Sequence, residues 1–504
     1  MRKGSGFTSN ISVTLLSLSL LIGCDRLPEG GNDRTSGEDC SSEVPINFSF
    51  VGYGYGMKEL PDVPVRITLN APADGADATA MIQDALDNVQ TPGAVLLKAG
   101  EYRIGSSLNI GRSGIVLRGE GESTVLKAVG TEKRVLINMG KGTSRTVSAG
   151  SDIVKNVPLG QMWVEVAKNA SFKRGDRVAV YFKPNDLWIS DLKMDMISGA
   201  STTQWTASDY EMYWEREVRD VDGKNVWLDC PVVLELDQKY AAAMSLKKIS
   251  RNRIDECGIE NLYMVSEYDP QILDSDGNNV DENHAWSAVM VKNAENCWIR
   301  DVKSAHFGLS LVELGLGARC VTVENCLSTR PVSLIDGSRR YAFHISKGEL
   351  CLVKNCTAEH DRHGFVTAKL TPGPNVFLDC VMKNAYAGVG PHQRWASGVL
   401  YDNCDGDLRL EVEDRGNWGT GQGWAGVNFV FWNCRADKIV CQSPWIGGRN
   451  WSVGSVGLKS DGRSHADGLT RPDGVWISHG SPVYPASLYR HQLDIRKNAF
   501  SQYE

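Results

Sequence analysis

Between residues 289 and 434 the chain is written in short apolar runs, each too brief for a helix and each closed by the same polar-then-small step. Val289-Met290-Val291, Cys320-Val321-Thr322-Val323, Cys351-Leu352-Val353, Asn375-Val376-Phe377-Leu378 and Asn428-Phe429-Val430-Phe431-Trp432 are runs of this kind. The steps are Asn296-Cys297, Asn325-Cys326, Asn355-Cys356, Asp379-Cys380, Asn403-Cys404 and Asn433-Cys434, with cysteines 29, 30, 24, 24 and 30 residues apart. A period of this length, carried by strands and Gly-rich turns, marks a β-solenoid. Each coil is expected to bury its cysteine against that of the next, with the Asn side chains stacked in a row at the bend. The fold this predicts is all-β: a right-handed parallel β-helix with a long outer face.

Only one early stretch has helical spacing. Asp77 to Val89 carries apolar residues at 81, 82, 85, 86 and 89 behind an acidic first residue, the pattern of an amphipathic helix. Such a helix can cover the open edge of a solenoid's first coil. Residues 136–250 lose the coil rhythm: Val164-Glu165-Val166, Arg177-Val178-Ala179-Val180-Tyr181 and Val226-Trp227-Leu228 are strand-like, with turns at Gly175 and Gly223. The expected organisation is a signal peptide over 1–23 and a flexible tether over 24–45. An N-terminal cap with the first coils follows over 46–135, then a β-rich insertion over 136–250. The main β-helix occupies 251–456, and a C-terminal cap with a short helix at the far end occupies 457–504.

Composition refines this picture. With 51 Gly and 14 Trp the chain suits a turn-rich β architecture, and a formal charge of −7 excludes a general nucleic-acid footprint. From Arg300 through Leu400, however, there are twelve Lys/Arg against eight Asp/Glu, with five of the nine histidines. A basic surface on an acidic protein points to an anionic ligand. At the N-terminus, Met1-Arg2-Lys3 precedes an apolar stretch from Ile11 to Ile22, too short to span a bilayer. It ends in Leu21-Ile22-Gly23-Cys24, which resembles a bacterial lipobox. That resemblance implies lipidation of Cys24 and a place in the cell envelope, on the outer membrane or cell surface. The expected state there is a lipid-anchored monomer.

Export raises the question of the remaining cysteines. Those of the repeat read as packed thiols, since free Cys behaves as a small hydrophobe. Cys351, Cys356, His360 and His363 do not read as a zinc site, because an odd separation points the two thiols to opposite faces of a strand. Cys40 falls in the tether and is given no partner. No metal site is assigned. Asp281-Glu282-Asn283-His284 is the one oxygen-rich cluster that would suit Ca²⁺, and it reads first as a polar loop.

After each Asn-Cys step, polar groups collect where the chain turns outward. His306 follows Cys297; His360, Arg362 and His363 follow Cys356; His392, Arg394 and Trp395 follow Cys380; Arg415, Trp418 and Trp424 follow Cys404. Arg340, Tyr341, His344 and Lys347 lie on the approach to the third coil. Neighbouring strands are about 4.8 Å apart, so these groups would line a strip long enough for several sugars. A strip of Arg and His suits β-elimination on a uronic-acid polymer. The substrate carboxylate must be neutralised before the adjacent proton can leave, and a neutral His is well placed to take that proton. The expected assignment is His363 or His392 as base and Arg362 and Arg394 as carboxylate clamps. Tyr341 or His344 is the acid. Arg340, Lys347, His306, His360, Arg415 and the rings of Trp395, Trp418 and Trp424 are expected to bind substrate.

Pro72-Ala73-Asp74-Gly75-Ala76-Asp77-Ala78-Thr79 through Gly119, including Gly93 to Ile104, resembles the N-terminal entry of the pectate-lyase-like parallel β-helix superfamily. The segments Gly337 to Tyr341, Asp361 to Val366 and Gly390 to Gly398 resemble blocks of a bacterial polysaccharide lyase group within it. The third block departs from the pattern by carrying Gln393 where a second His is expected. The resemblance implies an extracytoplasmic polysaccharide lyase acting on a pectic or glycosaminoglycan-type polymer. No cofactor is assigned; on chemical grounds a bound Ca²⁺ is the alternative to Arg or His for neutralising the substrate carboxylate. Two alternatives remain: a glycoside hydrolase on the same scaffold, which needs two convergent carboxylates, and a non-catalytic glycan-binding lipoprotein.

Overall fold

A computed structural model describes residues 39–142, 145–168, 171–197, 199 and 201–501. Cys24, the signal peptide and most of the tether lie outside the described residues. The chain is a right-handed parallel β-helix with a β-rich insertion. Its inward rows follow from strict alternation: one runs Val95, Leu117, Ile259, Ile299, Val323, Val353, Phe377, Tyr401 and Phe431, each the lateral neighbour of the next. Such stacking buries one apolar side chain per coil on that face. The outward row beside it reads Arg118, Glu260, Arg300, Glu324 and Lys354. Charges of opposite sign alternate there, and Glu260 is held between Arg118 at 2.9 Å and Arg300.

The Asn-Cys step has a conformational cause. Asn296, Asn325, Asn355, Asp379, Asn403 and Asn433 all sit in the left-handed region, with φ between 49° and 55°. Asn and Asp enter that region at less cost than most side chains. The residue after each turns inward, and there the thiol donates across to a carbonyl of the preceding coil: Cys380 to Val353 O at 3.4 Å, Cys404 to Phe377 O at 3.3 Å, Cys434 to Tyr401 O at 3.2 Å. The Asn row is only partly joined, Asn355 Nδ2 meeting Asn325 Oδ1 at 3.4 Å.

The helix Thr79–Asn88 buries Ile82 and Leu86 against the first coils. After Gly140 the chain leaves the solenoid, and Leu117 pairs directly with Ile259, so the excursion interrupts no coil. The excursion contains an antiparallel six-stranded sheet from Thr146–Asp152 to Ala241–Ser250. Buried ion pairs join it to the coils: Arg319 reaches Asp229 and Glu295 at 2.8 Å each, and Arg216 reaches Glu349 at 3.2 Å. Pairs of this kind fix orientation, because removing one partner strands a buried charge.

Two expectations at the ends are corrected. The segment from Asp39 to Pro45 is packed: Cys40 and Val44 are buried in the core that the insertion forms against the outside of the coils, and Cys40 N donates to Tyr484 O at 3.0 Å. The C-terminal helix Leu488–Ser501 does not close the last coil. Arg490 pairs with Asp379, Tyr489 N donates to Asp402 at 2.8 Å, and Tyr489 Oη donates to Val51 O at 2.8 Å. The helix therefore lies along the outside of the coils, against the N-terminal segment. Among the described residues no helix is long and apolar enough to cross a membrane.

Candidate functional site

The third face of the solenoid stacks Ser287–Lys292, Ser310–Leu314, Phe343–Ile345, Phe365–Thr367 and Gly390–Pro391. Because Val312, Phe343 and Phe365 point inward as one row, the residues beside them point out. His344 stands on that outer row next to Glu313. Tyr341 precedes its strand by two residues, His363 precedes Phe365 by two, and His392 directly follows Pro391. Three successive coils therefore deliver four rings to one place. Tyr341 lies with ring centroids 5.4 Å from His344, 5.4 Å from His363 and 5.3 Å from His392, and the two latter histidines are 4.9 Å apart.

Hydrogen bonds assign the protons. His363 Nδ1 donates to Gly388 O at 2.5 Å, so Nε2 carries the lone pair, and that atom is buried without a partner. Gly388 and Gly390 sit tight against Glu411; a Cβ on Gly390 would lie 1.9 Å from Glu411 O. Only glycine lets that strand approach so closely. For His392, Gln422 decides. Arg415 Nε donates to Gln422 Oε1 at 2.7 Å, which turns the Gln422 amide nitrogen toward His392 Nε2 at 3.3 Å. An amide nitrogen only donates, so His392 Nε2 accepts and its proton resides on Nδ1. Tyr341 Oη, 3.2 Å from the same Nε2, is then the donor, while it accepts the Ser338 backbone N–H at 3.3 Å.

Both histidines are held neutral. Burial, with the Arg415 and Arg362 charges nearby, pulls His363 down to about 3. Burial and the neighbouring His363, Arg415 and Arg362 hold His392 well below the usual imidazole value. Burial likewise lowers His344 against the opposing pull of Glu313. The same positive surroundings favour negative charge on a ligand bound beside them. The Arg415 guanidinium is itself paired with buried Glu411. Arg362 is half-buried, and its Nη1 donates to Asp336 O at 2.8 Å.

Other predicted members lie elsewhere or do other work. His306 and His360 form a separate column of left-handed turn residues, with Arg330 of the coil between them, His306 N donating to Arg330 O at 3.2 Å. The single strip expected from sequence is thus two columns, because each coil has more than one outward turn. His306 stacks edge-on against Tyr268 at 4.9 Å. Arg340 is buried, with Nη2 on Ser333 O at 2.6 Å and Nη1 on His360 O at 3.5 Å; it fixes the turn and presents no face to a ligand. Arg394 is bound to the loop carbonyls of Thr420 and Gly421 at 2.6 and 3.2 Å, so it holds that loop. Lys347 turns to the seam with the insertion, Nζ on Lys369 O at 2.5 Å, and burial lowers it to about 8.

The tryptophans divide. Trp418 is 41% exposed, with Arg463 stacked 3.6 Å and Arg415 4.7 Å from its ring centre. Trp395 and Trp424 are buried, the first edge-on to Trp188 at 4.9 Å, the second donating to Leu192 O at 3.2 Å. Neither can stack on a sugar. The carboxylates read as a Ca²⁺ candidate are already engaged: Asp281 accepts the Asp269 and Asn283 N–H groups, and Glu282 pairs with Arg339 and Lys133. Among the described residues no group of three or more His, Cys, Asp or Glu is placed to hold a metal. Sequence reading missed Gln422, Ser338 and Glu411: Ser338 lies within the Gly337–Tyr341 block and Gln422 two residues before Trp424, but neither carries a charge or an imidazole to draw attention, and Glu411 stands apart from every motif.

No family model and no curated protein matches the sequence. Solved structures resemble its fold. The Pseudomonas phage phi297 tailspike gp61 is 14% identical, over 82% of this chain and 67% of its own, with a TM-score of 0.44. A polygalacturonase from Erwinia carotovora ssp. carotovora is 9% identical over 83% and 98%, with a TM-score of 0.42. An alginate lyase from Paenibacillus sp. str. FPU-7 is 10% identical over 82% and 99%, with a TM-score of 0.39. The class defined by the fold is the right-handed parallel β-helix proteins.

Proposed function

We propose that this chain cleaves a uronic-acid-containing polysaccharide by β-elimination at the Tyr341–His392 pair, and that it does so outside the cytoplasm, anchored through Cys24. The observation that carries the reading is the Tyr341 hydroxyl directed onto an unprotonated His392 Nε2, beside Arg362 and Arg415. His392 takes the phenol proton, and the phenolate removes the proton on the sugar carbon next to the carboxylate. A carbon–carbon double bond forms as the bond to the leaving oxygen breaks. That oxygen takes the proton held on His392, so the proton count balances and both side chains return to their starting state. Arg362 is the group suited to the substrate carboxylate. His363, anchored by Gly388 and lying against both rings, is a positioning residue.

A hydrolase would need two carboxyl groups roughly 5–9.5 Å apart across the bond. Glu411 is clamped between Arg409 and Arg415, and Arg409 also holds Glu413 at 3.0 Å, which favours elimination. The test is incubation with a panel of uronate polymers. New ultraviolet absorbance of an unsaturated uronide is the expected result. New reducing ends without it would mean hydrolysis, and retention on a glycan column with neither would mean a binder.

A further inference from the structure

Behind Trp418 lies a cavity of about 230 Å³ that the chemistry above does not use. Three parts of the chain wall it: Lys193–Ile197 of the insertion, Asp414–Asn417 of the loop that also carries Gln422, and Arg463–Arg471 of the tail. One side of the shared loop faces His392 through Gln422, and the other faces this cavity.

Its polar groups are built, and one is left over. Asp414 is fully buried; it accepts Arg471 Nε at 2.9 Å and Nη2 at 2.8 Å, and the Gly416 N–H at 2.8 Å. Arg471 is also held by Asp467 through two bonds of 2.7 Å, so one cation serves two carboxylates, and the lining as a whole sets Lys193, Arg463 and Arg471 against Asp414 and Asp467. His465 is different. Its side chain is 8% exposed, its Nδ1 stands 4.0 Å from Asp414 Oδ2, beyond hydrogen-bond reach, and its Nε2 is buried without a partner. A buried imidazole nitrogen in that state costs free energy until a polar atom meets it. Arg463 stacks on Trp418, its Nη1 donates to Arg415 O at 2.8 Å and its backbone N–H to Glu413 at 3.2 Å, and among the described residues neither its side chain nor that of Lys193 forms an ion pair within 4.0 Å of a carboxylate. Two cations and a vacant nitrogen therefore border one small space beside an exposed tryptophan.

We infer that this cavity is a subsite for one carboxylated sugar unit, its carboxylate met by Arg463 and Lys193 and a hydroxyl met by His465 Nε2. It rests on the reading of the chain as a uronate-glycan enzyme only for the kind of sugar. The volume suits one unit, and the loop that lines it also carries Gln422 to His392. Trp418, next in the chain to Asn417 of the lining, is exposed beside it and carries Arg463 stacked on its ring.

The experiment is calorimetric titration of the full chain with free glucuronate and galacturonate, against glucose and galactose. A monosaccharide has no glycosidic bond to eliminate, so the measurement is independent of turnover. Binding of a uronate with Kd on the order of 1 mM, and at least tenfold weaker binding of the neutral sugars, is expected. His465→Ala and Lys193→Met should each weaken uronate binding by a factor of about 10 while the melting temperature stays near that of the parent. Equal affinity for neutral sugars, no binding by the parent, or unchanged binding by both variants overturns the subsite. Uronate binding without cleavage of any polymer would instead keep the subsite and overturn the elimination reading.

Discussion

Tyr341 Oη and His392 Nε2 stand 3.2 Å apart, and the Gln422 amide meets the same nitrogen from another direction. That convergence makes Tyr341 the donor and leaves the Ser338 N–H, 3.3 Å away, to support the oxygen when its proton departs. Tyr341→Phe keeps the ring among three histidines and removes only the oxygen. Turnover on a uronate polymer should fall by a factor of about 10²–10⁴, the usual share of a general acid–base group. The melting temperature should hardly move. A Phe variant with more than a tenth of parental kcat would remove Tyr341 from the reaction.

Gln422 tests the proton assignment. In Gln422→Glu the oxygen facing His392 is anionic, and an adjacent negative charge favours imidazolium. The folded pKa of His392, now held well below the usual value by burial and by His363, Arg415 and Arg362, should rise. His392 would then be protonated over a wider range of pH, so the acid limb of the kcat/KM profile should move to higher pH by at least about one unit. Gln422→Leu, which removes the contact without adding charge, should lower kcat and leave that limb in place. Identical profiles for both variants would separate Gln422 from His392.

The two tryptophans of one glycine-rich loop should behave oppositely. Trp418→Ala removes an exposed ring held between Arg415 and Arg463. Its effect should appear in KM, by about tenfold, with little change in melting. Trp424→Ala empties a buried site against Trp445 and Leu192. It should cost about 3–5 kcal/mol, seen as a lowered denaturation midpoint. A stable Trp424→Ala protein with raised KM would make that ring a substrate contact.

These contrasts show what could be read in the sequence. The coils were legible because alternation and the Asn-Cys step are local: Asn355 adopts its left-handed turn and Cys356 its inward place whatever lies beyond the next coil. His363 and His392 stand out because each follows an Asn-Cys step, and Tyr341 and His344 because they lie on the approach to the third coil. The tryptophans could not be sorted that way. Trp395 and Trp424 are covered by Trp188 and Leu192 of the insertion, about two hundred residues earlier in the chain, and coil rhythm says nothing of what packs outside a coil. Arg340 and Arg394 were read as free cations because a sequence shows charge but not the carbonyls it meets. Gln422 escaped for the same reason, its role depending on Arg415 across a seven-residue loop closure.

Asp402 supplies a test of the fold apart from the site. It is fully buried on the outward row, accepting Ser487 Oγ at 2.7 Å and Tyr489 N at 2.8 Å, and so pins the start of the C-terminal helix to the coils. Burial raises its folded pKa from 3.8 to about 7, against the opposing effect of those two bonds. The folded protein thus binds a proton that the unfolded chain releases between about pH 4 and 7, and stability from this group is lost as pH rises through that window. Asp402→Asn keeps an acceptor for both donors and cannot ionise. The parent should therefore lose stability relative to the variant between pH 4 and 8, by up to roughly 4 kcal/mol at 1.4 per unit, and the two should converge near pH 4. Parallel melting curves across that range would mean that Asp402 is ionised in the folded protein, and that the helix is held by a charge.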